Sequence, residues 1–213
     1  MARQLRLRLD QPAAPSRASF VAGRCNAEAT AAVDAWPAWP GGCLVLVGPE
    51  GVGKSHLARA WAEAAGARIL DRRDPEVARP DTRPALLEDL DRGVPEEALF
   101  HLINLAPLGG GLLLTARARP RDWPVALPDL RSRLNALYVA GIEEPDDEVL
   151  LGVLRKFFRE RHIRPSPDLY PYLLRRMERS AVSAREIVRQ LDEAPDELRP
   201  VSRILARRLL ERD

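Results

Sequence analysis

One octapeptide constrains this 213-residue chain more than any other feature: Gly48-Pro49-Glu50-Gly51-Val52-Gly53-Lys54-Ser55 matches G-x-x-x-x-G-K-[ST] at every fixed position. It follows the apolar run 43–47 (CLVLV) and precedes the helix-forming stretch 54–65 (KSHLARAWAEAA). Strand, glycine-rich turn and helix start, in that order, make a cradle for phosphate. The glycines let backbone N–H groups turn inward around phosphate oxygens, and the helix N-terminus adds its positive end. Lys54 is expected to reach the β- and γ-phosphates and Ser55 to ligate Mg²⁺. The bland alternative is a strand-to-helix turn that binds nothing, and the full motif in its proper context argues against it. Lys54 is also one of only two lysines in a chain with 31 arginines, which favours a specific role for it.

A phosphate loop needs a metal-side carboxylate at the end of a neighbouring strand. The stretch Ala85-Leu-Leu-Glu88-Asp89-Leu-Asp91 supplies one. Its apolar half predicts a strand, and its acids fall at the C-terminal end, where ligands bind in open α/β sheets. Glu88 is expected to face Mg²⁺ through water and Asp89 to orient an attacking water. A solvated acidic turn is the competing reading.

Around these segments, short apolar runs alternate with helical patterns. Strands are expected at 43–47, 68–70, 85–88, 112–115 and 137–140, and helices at 26–35, 54–65 and 95–105. That alternation predicts a parallel sheet wrapped by helices, with Asn26 as the N-cap of the first helix. After Glu143 no strand candidate appears. Residues 145–162 place Val149, Leu150, Val153, Leu154, Phe157 and Phe158 on one broad helix face. Ser166-Pro167 is expected to open a second helix, Ser183-Ala-Arg-Glu186 to form a capping box before a third over 184–193, and 200–212 to make a fourth. The expected division is an arm over 1–19, an α/β core over 20–143 and a small all-α lid over 144–213.

Composition narrows the classes. No apolar run reaches the roughly 18 residues that span a bilayer, and the N-terminus lacks an apolar signal region. Cys25 and Cys43 are too few for a disulfide scaffold or a four-ligand zinc site and read as small buried hydrophobes; a cytoplasmic location follows as the default. His56, His101 and His162 show no metal spacing. The net charge is +2, and residues 1–24 hold five arginines against one aspartate. The body is therefore slightly acidic, which argues against a dedicated DNA-binding face and leaves DNA contact indirect or weak.

Five segments in order resemble the DnaA-type AAA+ family, and specifically its short regulatory, Hda-type branch, over essentially the whole chain. They are the phosphate loop with the acidic strand end, Phe20-Val21-Ala-Gly23-Arg-Cys-Asn26, Phe100-His-Leu-Ile-Asn104, Leu127-Pro-Asp-Leu-Arg131-Ser-Arg133-Leu, and Ser183-Ala-Arg185-Glu186. The resemblance implies a P-loop AAA+ core with a helical lid, binding ADP or ATP with Mg²⁺. Phe20 and Val21 would lie beside the adenine. Gly48, Pro49, Glu50, Gly51, Val52, Gly53, Lys54, Ser55 and His56 would surround the phosphates, and Arg185 would act as a second sensor. Arg133 would be an arginine finger. Two departures stand out: Glu88 replaces the family's usual Asp, and Thr115-Ala-Arg117 puts an arginine where a sensor Asp or Asn is expected. The second implies a buried arginine near the γ-phosphate and weak intrinsic hydrolysis.

Gln4-Leu5-Arg-Leu7-Arg-Leu9 alternates polar and apolar residues. It reads either as a polar arm or edge strand, or, by resemblance, as a peptide for the sliding clamp of the replicative polymerase, with Gln4 in a polar pocket and the leucines in apolar ones. The partners so implied are the sliding clamp and DnaA, with a homo-oligomer allowed and no membrane. The implied function is stimulation of hydrolysis of DnaA-bound ATP through Arg133 in trans. Two rivals remain: a DnaA-type initiator or helicase loader acting on DNA, and a small-molecule P-loop kinase. A full initiator would need a helix-turn-helix domain beyond the lid.

Overall fold

The computed structural model of the chain describes residues 15–75, 82–194 and 201–210. Five strands, β1 (Cys43–Val47), β2 (Arg68–Leu70), β3 (Ala85–Leu87), β4 (Leu112–Ala116) and β5 (Tyr138–Gly141), form one sheet in the order β2-β3-β4-β1-β5. Every pairing is parallel. The three inner strands β3, β4 and β1 are short and buried on both faces because both faces are covered, whereas the edge strand β2 leaves Ile69 exposed. Along β1, Cys43, Val45 and Val47 join the core on one side, and Leu44 and Leu46 that on the other; the two-residue period of a strand produces this division. Helices α1 (Ala27–Asp34) and α2 (Lys54–Ala65) cover the Leu44 face through Ala29, Val33, Leu57 and Trp61. Helices α3 (Glu96–Leu105) and α4 (Pro128–Asn135) cover the other through Leu99, Ile103, Leu130 and Leu134. The result is a three-layer parallel α/β core.

Four more helices follow: α5 (Asp147–Glu160), α6 (Leu169–Leu174), α7 (Ala181–Glu193) and α8 (Arg203–Leu210). They share a third apolar core built on Leu150, Leu154, Phe158, Leu173, Val188 and Leu205. Asp146 caps α5, its carboxylate accepting the Val149 N–H at 2.8 Å.

Three expectations about helix starts are corrected. Asn26 precedes α1 but does not cap it; its side chain instead accepts the Gly23 N–H at 2.9 Å and donates to the Val21 carbonyl at 3.0 Å. Pro167 is not the first residue of α6, which begins two residues later after Asp168. Nor does Ser183 open α7. Ser180 is the cap, accepting the Ser183 N–H at 3.0 Å. Both serines have the right chemistry, but Ser180 alone has extended backbone (φ −145°, ψ 149°), which a cap requires. Arg185 therefore lies in the second turn of α7, where the helix dipole opposes a cation less than at its first turn. Ser180→Ala is expected to cost about 1 kcal/mol and Ser183→Ala less than about 0.5 kcal/mol, as read from urea unfolding midpoints.

Candidate nucleotide-binding site

At the C-terminal end of β1 the chain opens into a cavity of about 330 Å³. Its wall is drawn from the loop after β1, the segment before α1, the ends of β3 and β4, and helices α5 and α7. Open parallel sheets place ligand sites at this edge because the strand ends splay where the chain order reverses. Here β1 lies between β4 and β5 while the chain leaves it for β2 at the far edge.

The loop geometry fits phosphate. Gly51 and Gly53 have φ of 78° and 107°, a region that side chains with a Cβ disfavour. A Cβ on Gly48 would lie 2.2 Å from the Ile142 carbonyl oxygen. No side chain caps the start of α2, so its first amides face the cavity mouth uncapped, as an anion site requires. Lys54 opens this helix and is only 7% exposed. Its Nζ donates to the loop's own carbonyls, Gly48 at 2.7 Å and Pro49 at 2.6 Å. Burial pulls its pKa below the ordinary lysine value, and Asp89 and Asp91 pull the other way. A buried ammonium held by carbonyl dipoles is a strong donor to an incoming anion.

The acidic strand end divides. Asp89 lies on the cavity wall, whereas Glu88 is not among its lining residues. Glu88 accepts instead from Arg59 Nε at 2.8 Å. Asp89 has left-handed backbone (φ 57°, ψ 47°), and its N–H donates to the fully buried Thr115 Oγ1 at 3.0 Å. A hydroxyl at the end of β4 thus fixes the conformation of the carboxylate beside the phosphate loop. Among the described residues no group of three or more His, Cys, Asp or Glu could hold a metal. A Mg²⁺ ion carried in with a nucleotide would need only one or two protein ligands, its shell being completed by phosphate and water. Ser55 and Asp89 are among the oxygen-bearing side chains on the wall, with Glu50, Ser19 and Asn26.

The other wall is apolar with a basic edge. Val149, Val153, Lys156 and Phe157 recur at helical spacing along α5, and Phe20 and Val21 approach from the segment before α1. His56 sits among them, 3.1 Å from Ser19 Oγ and 5.6 Å from the Phe20 ring centroid. Burial lowers its pKa first, and the Lys156 charge lowers it further. Arg185 lines the same edge, its guanidinium 5.2 Å from the Phe157 ring centroid. Of the candidate nucleotide residues, Phe20, Val21, Glu50, Gly51, Val52, Gly53, Lys54, Ser55, His56 and Arg185 all reach the cavity, while Gly48 and Pro49 contribute the carbonyls that hold Lys54.

Arg117 is not buried, contrary to its expected place. Its side chain is 45% exposed and binds Glu50 at 2.6 Å. It follows the last residue of β4, where the strand has left the covered core. Arg133 does not line the cavity. It is exposed on α4, and Gln4, Leu5, Leu7 and Leu9 lie outside the described residues. Sequence reasoning missed Arg92, Lys156 and Thr115. Lys156, the chain's second lysine, stood out in composition alone; Arg92 had no signal among so many arginines.

No known protein-family profile matches the sequence. The fold does have solved counterparts. Domain III of the Thermotoga maritima replication initiation protein DnaA superposes with a TM-score of 0.72 at 18% identity, over 92% of this chain and 95% of that one. AMPPCP-bound DnaA from Aquifex aeolicus gives 0.72 at 17% identity, over 86% of this chain and 66% of that one. The Thermotoga maritima RuvB Holliday junction branch migration motor gives 0.61 at 15% identity, over 79% and 60%. The parallel sheet, the glycine-rich loop after β1 and the helices around them are therefore those of a P-loop AAA+ α/β fold, shared with DnaA and RuvB.

Proposed function

We propose that this chain binds an adenine nucleotide, ADP or ATP, with Mg²⁺, and acts as an Hda-type regulator of replication initiation. Lys54 and the loop amides would hold phosphate, Ser55 and Asp89 would serve the metal side, and Phe20, Val21 and the α5 stripe would hold the base. The nucleotide supplies the anionic charge around which core and bundle order. In this reading the arm at Gln4–Leu9 tethers the chain to the sliding clamp, and Arg133 acts on ATP held by DnaA.

The observation that carries the regulatory part is the contrast between two arginines on α4. Arg131 donates to the carbonyls of Pro120, Arg121 and Trp123 and is committed to the fold. Two residues on, the Arg133 side chain is exposed and makes no hydrogen bond or ion pair among the described residues. An exposed guanidinium on an anchored helix is suited to meet an anion on another protein.

Attachment is tested with immobilised clamp. Gln4→Ala, or Leu7→Ala with Leu9→Ala, is expected to abolish retention while thermal unfolding and nucleotide affinity stay at wild-type values. Undiminished retention would place the clamp contact elsewhere. Absence of clamp binding by the wild type, together with direct DNA binding, would instead select an initiator or helicase loader.

A further inference from the structure

The ends of β3 and β4 bring an unusual set of charges to the phosphate loop. Glu50, Asp89, Arg92 and Arg117 all line the cavity with Lys54 and Ser55. Asp91 lies directly behind, accepting the Arg117 N–H at 3.0 Å. The Lys54 ammonium senses Asp89, Asp91, Arg117 and Glu50, so these groups cluster at its end of the cavity.

Within this cluster each arginine is tied from two sides. Arg117 Nε is 3.7 Å from an Asp91 oxygen, while its terminal nitrogen binds Glu50 at 2.6 Å. Arg92 has one terminal nitrogen 3.6 Å from Asp89 and the other 3.9 Å from Glu50. Asp89 and Asp91 thus hold the two guanidinium groups in place, and Glu50 takes up the donors that remain. Glu50 is the most exposed of the three carboxylates, with 68% of its side chain accessible against 41% for Asp89 and 20% for Asp91. It is also the only one carried on the phosphate loop itself.

A carboxylate in a loop that receives phosphate is electrostatically misplaced unless cations neutralise it. Carboxylate and phosphate offer guanidinium the same recognition: paired oxygen acceptors for parallel N–H donors. Exposed ion pairs are weak and exchange readily, so a better anion displaces the carboxylate at little cost. We propose that Arg92 and Arg117 form a subsite for the terminal phosphate of a nucleoside triphosphate, and that Glu50 is an internal competitor that fills this subsite when that phosphate is absent. Three carboxylates balance the three cations Lys54, Arg92 and Arg117 without ligand. A triphosphate displaces Glu50 from the arginines; a diphosphate leaves them paired with it. The loop thereby carries its own discrimination between the two nucleotides, and Glu50 sets its threshold.

This inference rests on the nucleotide reading above, and the test separates the two. Calorimetry of the full chain in Mg²⁺ buffer compares ADP with a non-hydrolysable ATP analogue for the wild type, Glu50→Gln, Arg117→Ala, Arg92→Ala and the Glu50→Gln/Arg117→Ala double variant. Glu50→Gln is expected to tighten the analogue about 3- to 5-fold and to leave ADP within about 2-fold. Arg117→Ala is expected to weaken the analogue about 10-fold or more, with ADP again little changed, and Arg92→Ala to act in the same direction. In the Arg117→Ala background the gain from Glu50→Gln should shrink, since the competition it relieves has lost a main contestant. An unchanged analogue-to-ADP ratio across the variants, or an equal gain for both nucleotides with Glu50→Gln, overturns the subsite while leaving nucleotide binding intact. Binding of neither nucleotide by the folded wild type overturns both.

Discussion

Arg133→Ala is expected to retain clamp attachment and its own nucleotide, and to lose stimulation of DnaA-bound ATP hydrolysis almost entirely. An arginine supplied in trans to a departing phosphoryl group contributes roughly 10³–10⁵ in rate where it has been measured in GTPases. The guanidinium is exposed and unengaged among the described residues, so its loss should cost little stability, as at ordinary surface positions. Arg131→Ala should behave in the opposite way, because it strips donors from three carbonyls of the segment before α4 and should lower thermal stability. Arg133→Lys should rescue poorly, since an ammonium lacks the planar fork of donors. The measurement is the ADP-to-ATP ratio of DnaA after incubation with clamp, DNA and each variant. Wild-type stimulation by Arg133→Ala would remove the finger assignment.

The second large effect falls on the chain's own site. Lys54→Ala is expected to weaken adenine-nucleotide binding by about 30-fold to several thousand-fold, the range for truncating one partner of a buried charge pair. The ammonium is buried and already bonded to Gly48 and Pro49, so the variant also leaves those carbonyls without their donor. Thermal unfolding of the unliganded variant separates loop damage from lost phosphate binding. A small shift in midpoint with a large loss in calorimetric affinity supports the assignment; equal, tight ADP binding by both proteins would end it.

The sheet was legible because its three inner strands are buried on both faces. Runs such as CLVLV and LLLT have no polar alternation, and glycine or proline bounds most of them. The phosphate loop was legible because its glycines and its lysine answer separate physical demands at fixed spacing. Helix starts were harder. Ser180 and Ser183 are chemically equivalent caps, and only the backbone at Ser180 decides between them. Asn26 has cap chemistry too, but long-range geometry turns its amide to Val21 and Gly23. The division of labour between Glu88 and Asp89 was out of reach for a related reason. Arg59, one turn into α2, draws Glu88 away, and Thr115, twenty-six residues on, fixes Asp89. Both partners come from other elements, and in an arginine-rich chain neither is marked in advance.

The cap of α7 has a mechanical consequence. The Ala181 N–H at the head of that helix donates to the Gly51 carbonyl at 2.9 Å, and the Ser180 Cβ would lie 2.8 Å from any Cβ placed on Gly51. The helical bundle is thus bolted through a main-chain bond to the middle of the phosphate loop, with no side chain to give between them. Thermodynamic linkage makes such a joint reciprocal. If an anion in the loop moves Gly51 and thereby changes how tightly a protein grips the bundle, that protein changes the loop's affinity for the anion by the same factor. The loop and the bundle are two ends of one lever, and its fulcrum is a residue whose side chain is a hydrogen atom.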